Sequence, residues 1–172
     1  MVKPLDIAIS KQMNDRTNFL RYPNGPLSPP APIIPTVDTF DAGSMANLDR
    51  VVNGDYTDYA GIGTKTTGGY GVVGNLIFDL GANYVPVRVS AALGLYVSDT
   101  SKQLNVYVDQ SDSTTFPSAA YAVAQNATTG ETFVGINEIK VVKRYFRLRF
   151  LITGAATGNV KVYQVEAHRE GA

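Results

Sequence analysis

The chain has 172 residues, 44% of them apolar, 17% charged and 10% aromatic. That is one domain of ordinary size with a segment to spare, and the apolar content excludes wholesale disorder. Its 15 basic and 15 acidic side chains cancel and it has no cysteine, which excludes the basic footprint of a nucleic-acid binder, disulfide frameworks, thiolate zinc sites and cysteine nucleophiles.

The chain opens Met1-Val2-Lys3-Pro4-Leu5-Asp6, and Asp6, Lys11 and Asp15 interrupt any apolar run behind the early lysine. A secretory signal needs about 7–15 apolar residues there, so none is expected, and manufacture in a host cytoplasm follows. No apolar stretch reaches the ~18 residues of a membrane span, so no membrane partner is expected. Seven of the nine prolines fall between Pro4 and Pro35. Each lacks a backbone donor and pushes the preceding residue towards extended geometry, so Tyr22 to Pro32 reads as semi-rigid extended chain. Ahead of it, Leu5, Ile9, Met13 and Leu20 sit near helical spacing, while Leu5, Ile7 and Ile9 also alternate as a strand would. Either way residues 1–40 form an arm with no core of its own, reaching up to ~130 Å if extended at ~3.3 Å per residue.

From Phe40 onward the texture changes to short alternating runs rich in Val, Ile, Phe and Tyr. Leu76, Phe78 and Leu80 alternate with Ile77 and Asp79; Val85, Val87, Val89 and Ala91 oppose Arg88; Leu104, Val106 and Val108 alternate with Asn105 and Tyr107. Phe146, Leu148 and Phe150 alternate with Arg147 and Arg149. These are antiparallel strands with one face on a core. In the last run, Val160 and Val162 are out of phase with Val165 and Ala167, which predicts a bulge near Tyr163-Gln164. No sustained helical period follows residue 45. The expected fold is all-β, an antiparallel β-sandwich of jelly-roll type over residues 41–172, carrying the Pro-rich arm.

Four pieces in order carry a family resemblance: Asn47-Leu48-Asp49-Arg50-Val51-Val52-Asn53-Gly54-Asp55-Tyr56, Asn75-Leu76-Ile77-Phe78-Asp79-Leu80-Gly81-Ala82, Arg144-Tyr145-Phe146-Arg147-Leu148-Arg149-Phe150 and Val160 to Ala167. The order resembles the galactose-binding-like jelly roll of discoidin and coagulation-factor C-type domains, over roughly residues 45–169. The resemblance implies a fold and leaves function open. Calcium-binding members use the first loop and a glutamate of the closing strand. Asn53 and Asp55 match the loop, but Gln164 stands at the glutamate position, so an Asx turn is favoured over bound calcium and no cofactor is expected. Sugar-binding members offer loop aromatics with a His or Arg cluster. This chain has no tryptophan, and its one histidine, His168, lies in the closing strand.

Gly69-Tyr70-Gly71-Val72-Val73-Gly74 satisfies G-x-G-x-x-G but precedes a strand instead of following one, so it is no dinucleotide site. The glycine-rich stretch Tyr56 to Gly74 reads as a long loop whose Tyr56, Tyr59 and Tyr70 could meet a partner or glycan. Gln110 to Gly130 reads as a second such loop. The pairs Asp38/Asp41, Asp55/Asp58 and Asp109/Asp112 read as turn residues, not as an acid–base couple. Lys140, Lys143, Arg144, Arg147 and Arg149 read as a solvated or partner-facing stripe. The sequon Asn126-Ala127-Thr128 has no meaning without a secretory route.

An arm without an interior must borrow order from other chains. The expected function is therefore a non-enzymatic virion structural protein, a phage head-decoration, neck or tail component. Its arm residues Leu5, Ile7, Ile9, Met13, Phe19, Leu20, Tyr22, Pro29 and Pro30 would contact other virion proteins or copies of itself. The alternative is a carbohydrate-binding module for attachment to a host surface.

Overall fold

The computed structural model describes residues 33–38, 47–66, 71–82, 84–99, 102–117, 121–153 and 157–169. Strands follow in the order β1 (Thr36–Asp38), β2 (Ala60–Thr66), β3 (Gly71–Asp79), β4 (Val87–Val97), β5 (Leu104–Ser111), β6 (Ala124–Asn126), β7 (Gly130–Val141), β8 (Tyr145–Ile152) and β9 (Thr157–Arg169). The helical piece among the described residues is one 3-10 turn, Leu48–Val52. The strands pair antiparallel into a five-stranded sheet, β1-β3-β8-β5-β6, and a four-stranded sheet, β2-β9-β4-β7. This is the antiparallel β-sandwich jelly roll that the alternation predicts. Among the described residues no helix is long and apolar enough to cross a membrane.

Period-two burial builds the core. On β8, Phe146, Leu148, Phe150 and Ile152 are fully buried, and they meet Leu76 and Phe78 of β3 and Leu104 and Val106 of β5. Phe78 pairs with Phe146 in register and the two rings stack at 4.5 Å. From the other sheet come Val87, Val89, Leu93, Leu95 and Val97 of β4 with Val160, Val162, Val165 and Ala167 of β9. The predicted bulge is present: Leu93 faces Val162 and Ala92 faces Gln164, leaving Tyr163 as the extra residue.

Three expectations need correction. Strand β1 lies inside the span read as arm, where it pairs with β3 while Ile33 and Val37 pack on the core. A three-residue edge strand needs a partner on one side only, so neighbouring prolines do not prevent it. The arm residues Leu5, Ile7, Ile9, Met13, Phe19, Leu20, Tyr22, Pro29 and Pro30 all lie outside the described residues, as does Tyr70. The stretch Tyr56 to Gly74 contains β2 and the start of β3; β2 is an edge strand held to β9 by backbone pairing, so no alternating apolar pattern announces it. Gln110 to Gly130 likewise holds β6, a three-residue edge paired with β5.

The sequon asparagine has a structural post. Asn126 is 1% exposed; its Nδ2 donates to the carbonyls of Leu95 (2.6 Å) and Gly130 (2.9 Å), and its Oδ1 accepts from the Thr128 amide and hydroxyl, both at 2.8 Å. It ties the β6–β7 turn to β4. Asn126→Ala strands these groups, each worth about 1–3 kcal/mol when left unsatisfied in the interior. Thermal unfolding should show a clear fall in midpoint, and an unchanged midpoint would refute this role.

Candidate ligand-binding face

The outer face of the four-stranded sheet owes its relief to side-chain size. Along β4 the inward positions Val89, Ala91, Leu93 and Leu95 are buried, and the alternate ones are Ser90, Ala92 and Gly94. Register places Gln164, Ala92 and Gly135 in one row across β9, β4 and β7, and Lys161, Gly94 and Phe133 in the next. Small residues in the middle strand with longer ones on both flanks leave a depression.

At Gly94 the flanks close over the strand. Phe133 and Tyr163 meet with ring centroids 5.6 Å apart, and Tyr59 packs edge-on against Tyr163 at 5.5 Å. Lys161 Nζ lies 2.9 Å from Glu131 Oε2 and 5.3 Å from the centre of the Tyr59 ring. A Cβ on Gly94 would fall 2.5 Å from Glu131 Oε1 and 3.3 Å from Tyr163 Cε2, so a larger residue there would make the Glu131 carboxylate shift. At Gly135, by contrast, a Cβ would meet nothing closer than 3.8 Å. The floor there is open.

A turn builds the far wall. After the 3-10 turn, Asn53 Oδ1 accepts the Asp55 amide at 2.7 Å, and Asp55 Oδ1 accepts the Thr57 hydroxyl and amide at 2.7 and 2.8 Å. Those bonds, the hydroxyl foremost, hold the Asp55 carboxyl below its ordinary pKa. Gly54, at φ 84, donates its amide to Gln164 Oε1 at 3.0 Å, covering that buried amide. The same turn delivers Tyr56, whose hydroxyl donates to Glu166 Oε1 at 2.7 Å, while Glu166 Oε2 lies 3.2 Å from His168 Nε2. Burial, then the bond to Glu166, pushes the Tyr56 phenol up to about 12, so it stays a donor at every physiological pH. Asn53 Oδ1, Asp55 Oδ1 and Gln164 Oε1 each accept a bond in this turn, and the Asn53–Asp55 bond is that of an Asx turn. Among the described residues no group of three acidic or histidine side chains is placed to hold a metal.

Two adjoining cavities share Tyr56, Ala92 and Gly135. One, of about 250 Å³, is lined further by Ser90, Asn137, Gln164 and Glu166. The other, of about 320 Å³, is lined further by Phe133 and Tyr163. Asn137 reaches its place through a bulge in β7, where Asn137 and Glu138 together oppose Ser90. Glu138 sits at φ 48 with its amide donating to Ser90 Oγ at 3.2 Å. Left-handed backbone is costly for glutamate, so this kink is held in place by its surroundings. A third hollow of about 120 Å³, beyond the aromatic bridge, is lined by Gly94, Tyr96, Glu131, Asn159 and Lys161.

Of the expected partner tyrosines, Tyr56 and Tyr59 belong to this face. Phe133, Tyr163, Glu166, Asn137 and Gly135 escape a reading of the sequence. The phase slip at Tyr163-Gln164 was the available signal for Tyr163, because a bulge re-aims a side chain.

The basic stripe is corrected. Arg147 and Arg149, only 12% and 11% exposed, converge on the fully buried Asp109 carboxylate at 2.6–2.9 Å. Phe116 covers the Arg147 guanidinium and Tyr107 that of Arg149, at 4.7 and 4.2 Å. Asp109 is therefore a strand residue under two cations, not a turn residue. Arg144 binds Asp79 through two bonds of 2.8 and 2.7 Å, which hold the Asp79 carboxyl below its ordinary pKa. Lys143 pairs with Asp112, and Arg50 with Asp58.

No protein-family model matches the chain, and no curated protein matches it. Among solved structures, similar ones include a CBM32 module of AlyQ in complex with 4,5-unsaturated mannuronic acid, at 13% identity and TM-score 0.40, covering 79% of this chain and 95% of that one. Another is chitosan-binding module 2 of a Paenibacillus sp. IK-5 chitosanase/glucanase in complex with chitotriose, at 11% identity and TM-score 0.39, covering 78% and 94%. A third is a CBM32 module produced by Clostridium perfringens, at 14% identity and TM-score 0.38, covering 80% and 94%. At these scores the likenesses carry no argument about what this chain binds.

Proposed function

We propose that the sandwich is a non-catalytic glycan-binding module whose ligand lies on the outer face of the four-stranded sheet. One observation carries the proposal: the rings of Tyr56, Phe133 and Tyr163 line a depression floored by Ala92 and Gly135, next to the polar groups of Ser90, Asn137 and Glu166. A sugar ring has an apolar C–H face and a rim of hydroxyls, so it needs a flat apolar wall and nearby donors and acceptors. Aromatic side chains supply that wall at small entropic cost. Phe133 is 71% exposed and stands beside Tyr163, so its ring face is open to a ligand. The acids of this face are occupied, Glu131 by Lys161 and Glu166 by Tyr56 and His168, which fits binding better than acid–base chemistry.

The assembly role expected of the arm concerns residues outside the described ones and stands apart from this proposal. Titration calorimetry against a panel of neutral oligosaccharides tests the binding reading. Tyr163→Ala should weaken the best ligand by at least about tenfold while the protein stays folded, roughly the 1–1.5 kcal/mol of one aromatic contact. Undiminished affinity in that variant, or a panel in which nothing binds, would refute it.

A further inference from the structure

We infer that this face holds two subsites of different chemistry and so selects a neutral disaccharide unit over a single sugar. The inference rests on the glycan-binding reading and adds the division of the site. The two cavities of about 250 and 320 Å³ adjoin at Tyr56, Ala92 and Gly135, and together they reach the size range of ordinary ligand sites, about 300–1,000 Å³. Their remaining walls differ. The smaller cavity presents the hydroxyl of Ser90, the amides of Asn137 and Gln164 and the carboxylate of Glu166. The larger presents Phe133 and Tyr163, with no polar side chain beyond Tyr56 and Tyr163.

The division follows from the strands. The β7 bulge brings Asn137 opposite Ser90, and register brings Glu166 opposite Ser90 from the other side. One row on, Gly135 opens the floor, and the next row carries Phe133 beside the bulged Tyr163. Successive outward rows along a strand are about 7 Å apart, so the polar and aromatic subsites are too far apart for one pyranose ring to use both fully. A first sugar is held by its hydroxyls in the polar cavity, and a second, linked to it, stacks in the aromatic one. Among the described residues lining either cavity Glu166 is the charged one. Its carboxylate gives no counter-charge to a uronate or sulfated sugar, and both its oxygens are engaged by Tyr56 and His168 in place of an amino sugar's cation, so the unit is neutral.

Matched pairs of neutral mono- and disaccharides of glucose, galactose, mannose and N-acetylglucosamine, titrated into the full chain, provide the test. For the preferred sugar the disaccharide should bind at least about tenfold more tightly than the monosaccharide. Phe133→Ala should abolish that gain, bringing the disaccharide down to the affinity of the monosaccharide, whereas Asn137→Ala should weaken both ligands. Equal affinities for the pair, or a Phe133→Ala loss shared equally by both ligands, would overturn the two-subsite division and leave glycan binding standing. If no saccharide binds, the glycan reading itself fails and the division falls with it.

Discussion

Asp109→Ala should cost the sandwich about 3–5 kcal/mol, on the order of 10 °C in unfolding midpoint. Asp109 is buried on the outer side of the five-stranded sheet and neutralises both Arg147 and Arg149. Its register partner on β8 is Arg147, and Arg149 stands on the same face opposite Tyr107, so the ladder sets both guanidinium groups beside the one carboxylate. Removing the carboxylate leaves two cations facing each other beneath Phe116 and Tyr107, largely out of water. The cost is that of stranded charge and says little about what the cluster contributes as a whole. Replacing all three residues with apolar ones of similar volume should therefore cost far less than the single change. Chemical denaturation of the single and triple variants measures both. A triple variant less stable than Asp109→Ala would contradict this account.

The second large effect is in the core. Phe146→Ala should destabilise the fold by about 3–5 kcal/mol through lost burial and the cavity left behind. Phe146 is fully buried, and its ring lies parallel to that of Phe78, 4° between planes. Phe133→Ala provides the contrast within one protein. Exposed as it is, Phe133 should change stability by no more than about 0.5 kcal/mol. A core aromatic and a binding aromatic are thereby separated: one substitution weakens the fold, the other removes the wall of the aromatic subsite. Comparable losses of stability in the two variants would count against the role given to Phe133.

Much of the sandwich is legible in single strands, because alternation is a local property. Phe146, Leu148 and Phe150 can point only one way once Arg147 and Arg149 point the other, and the slip between Val162 and Val165 can be absorbed only by a bulge. Strands β2 and β6 are illegible for the opposite reason. They lie at sheet edges and owe their form to the backbone of a neighbour, so glycine, threonine and lysine serve as well as valine. Asp109 looks like any turn aspartate until β8 is laid beside β5. The same holds for the candidate face. Tyr56 and Tyr59 stand out in sequence, but the face needs Phe133 from β7 and Tyr163 and Glu166 from β9 brought beside the small residues of β4. Register between strands far apart in the chain decides that meeting, and no local pattern encodes it.

Amide NMR with the best-binding disaccharide tests the location of the site most directly. Saturable shifts should cluster at Ala92, Phe133, Gly135, Asn137 and Tyr163. They should vanish in Gly135→Trp, whose Cβ would meet nothing closer than 3.8 Å and whose ring would fill the adjoining cavities, and which should leave the rest of the spectrum in place. Shifts confined to the five-stranded sheet or the sandwich ends, or binding that survives the filled floor, would place the ligand elsewhere.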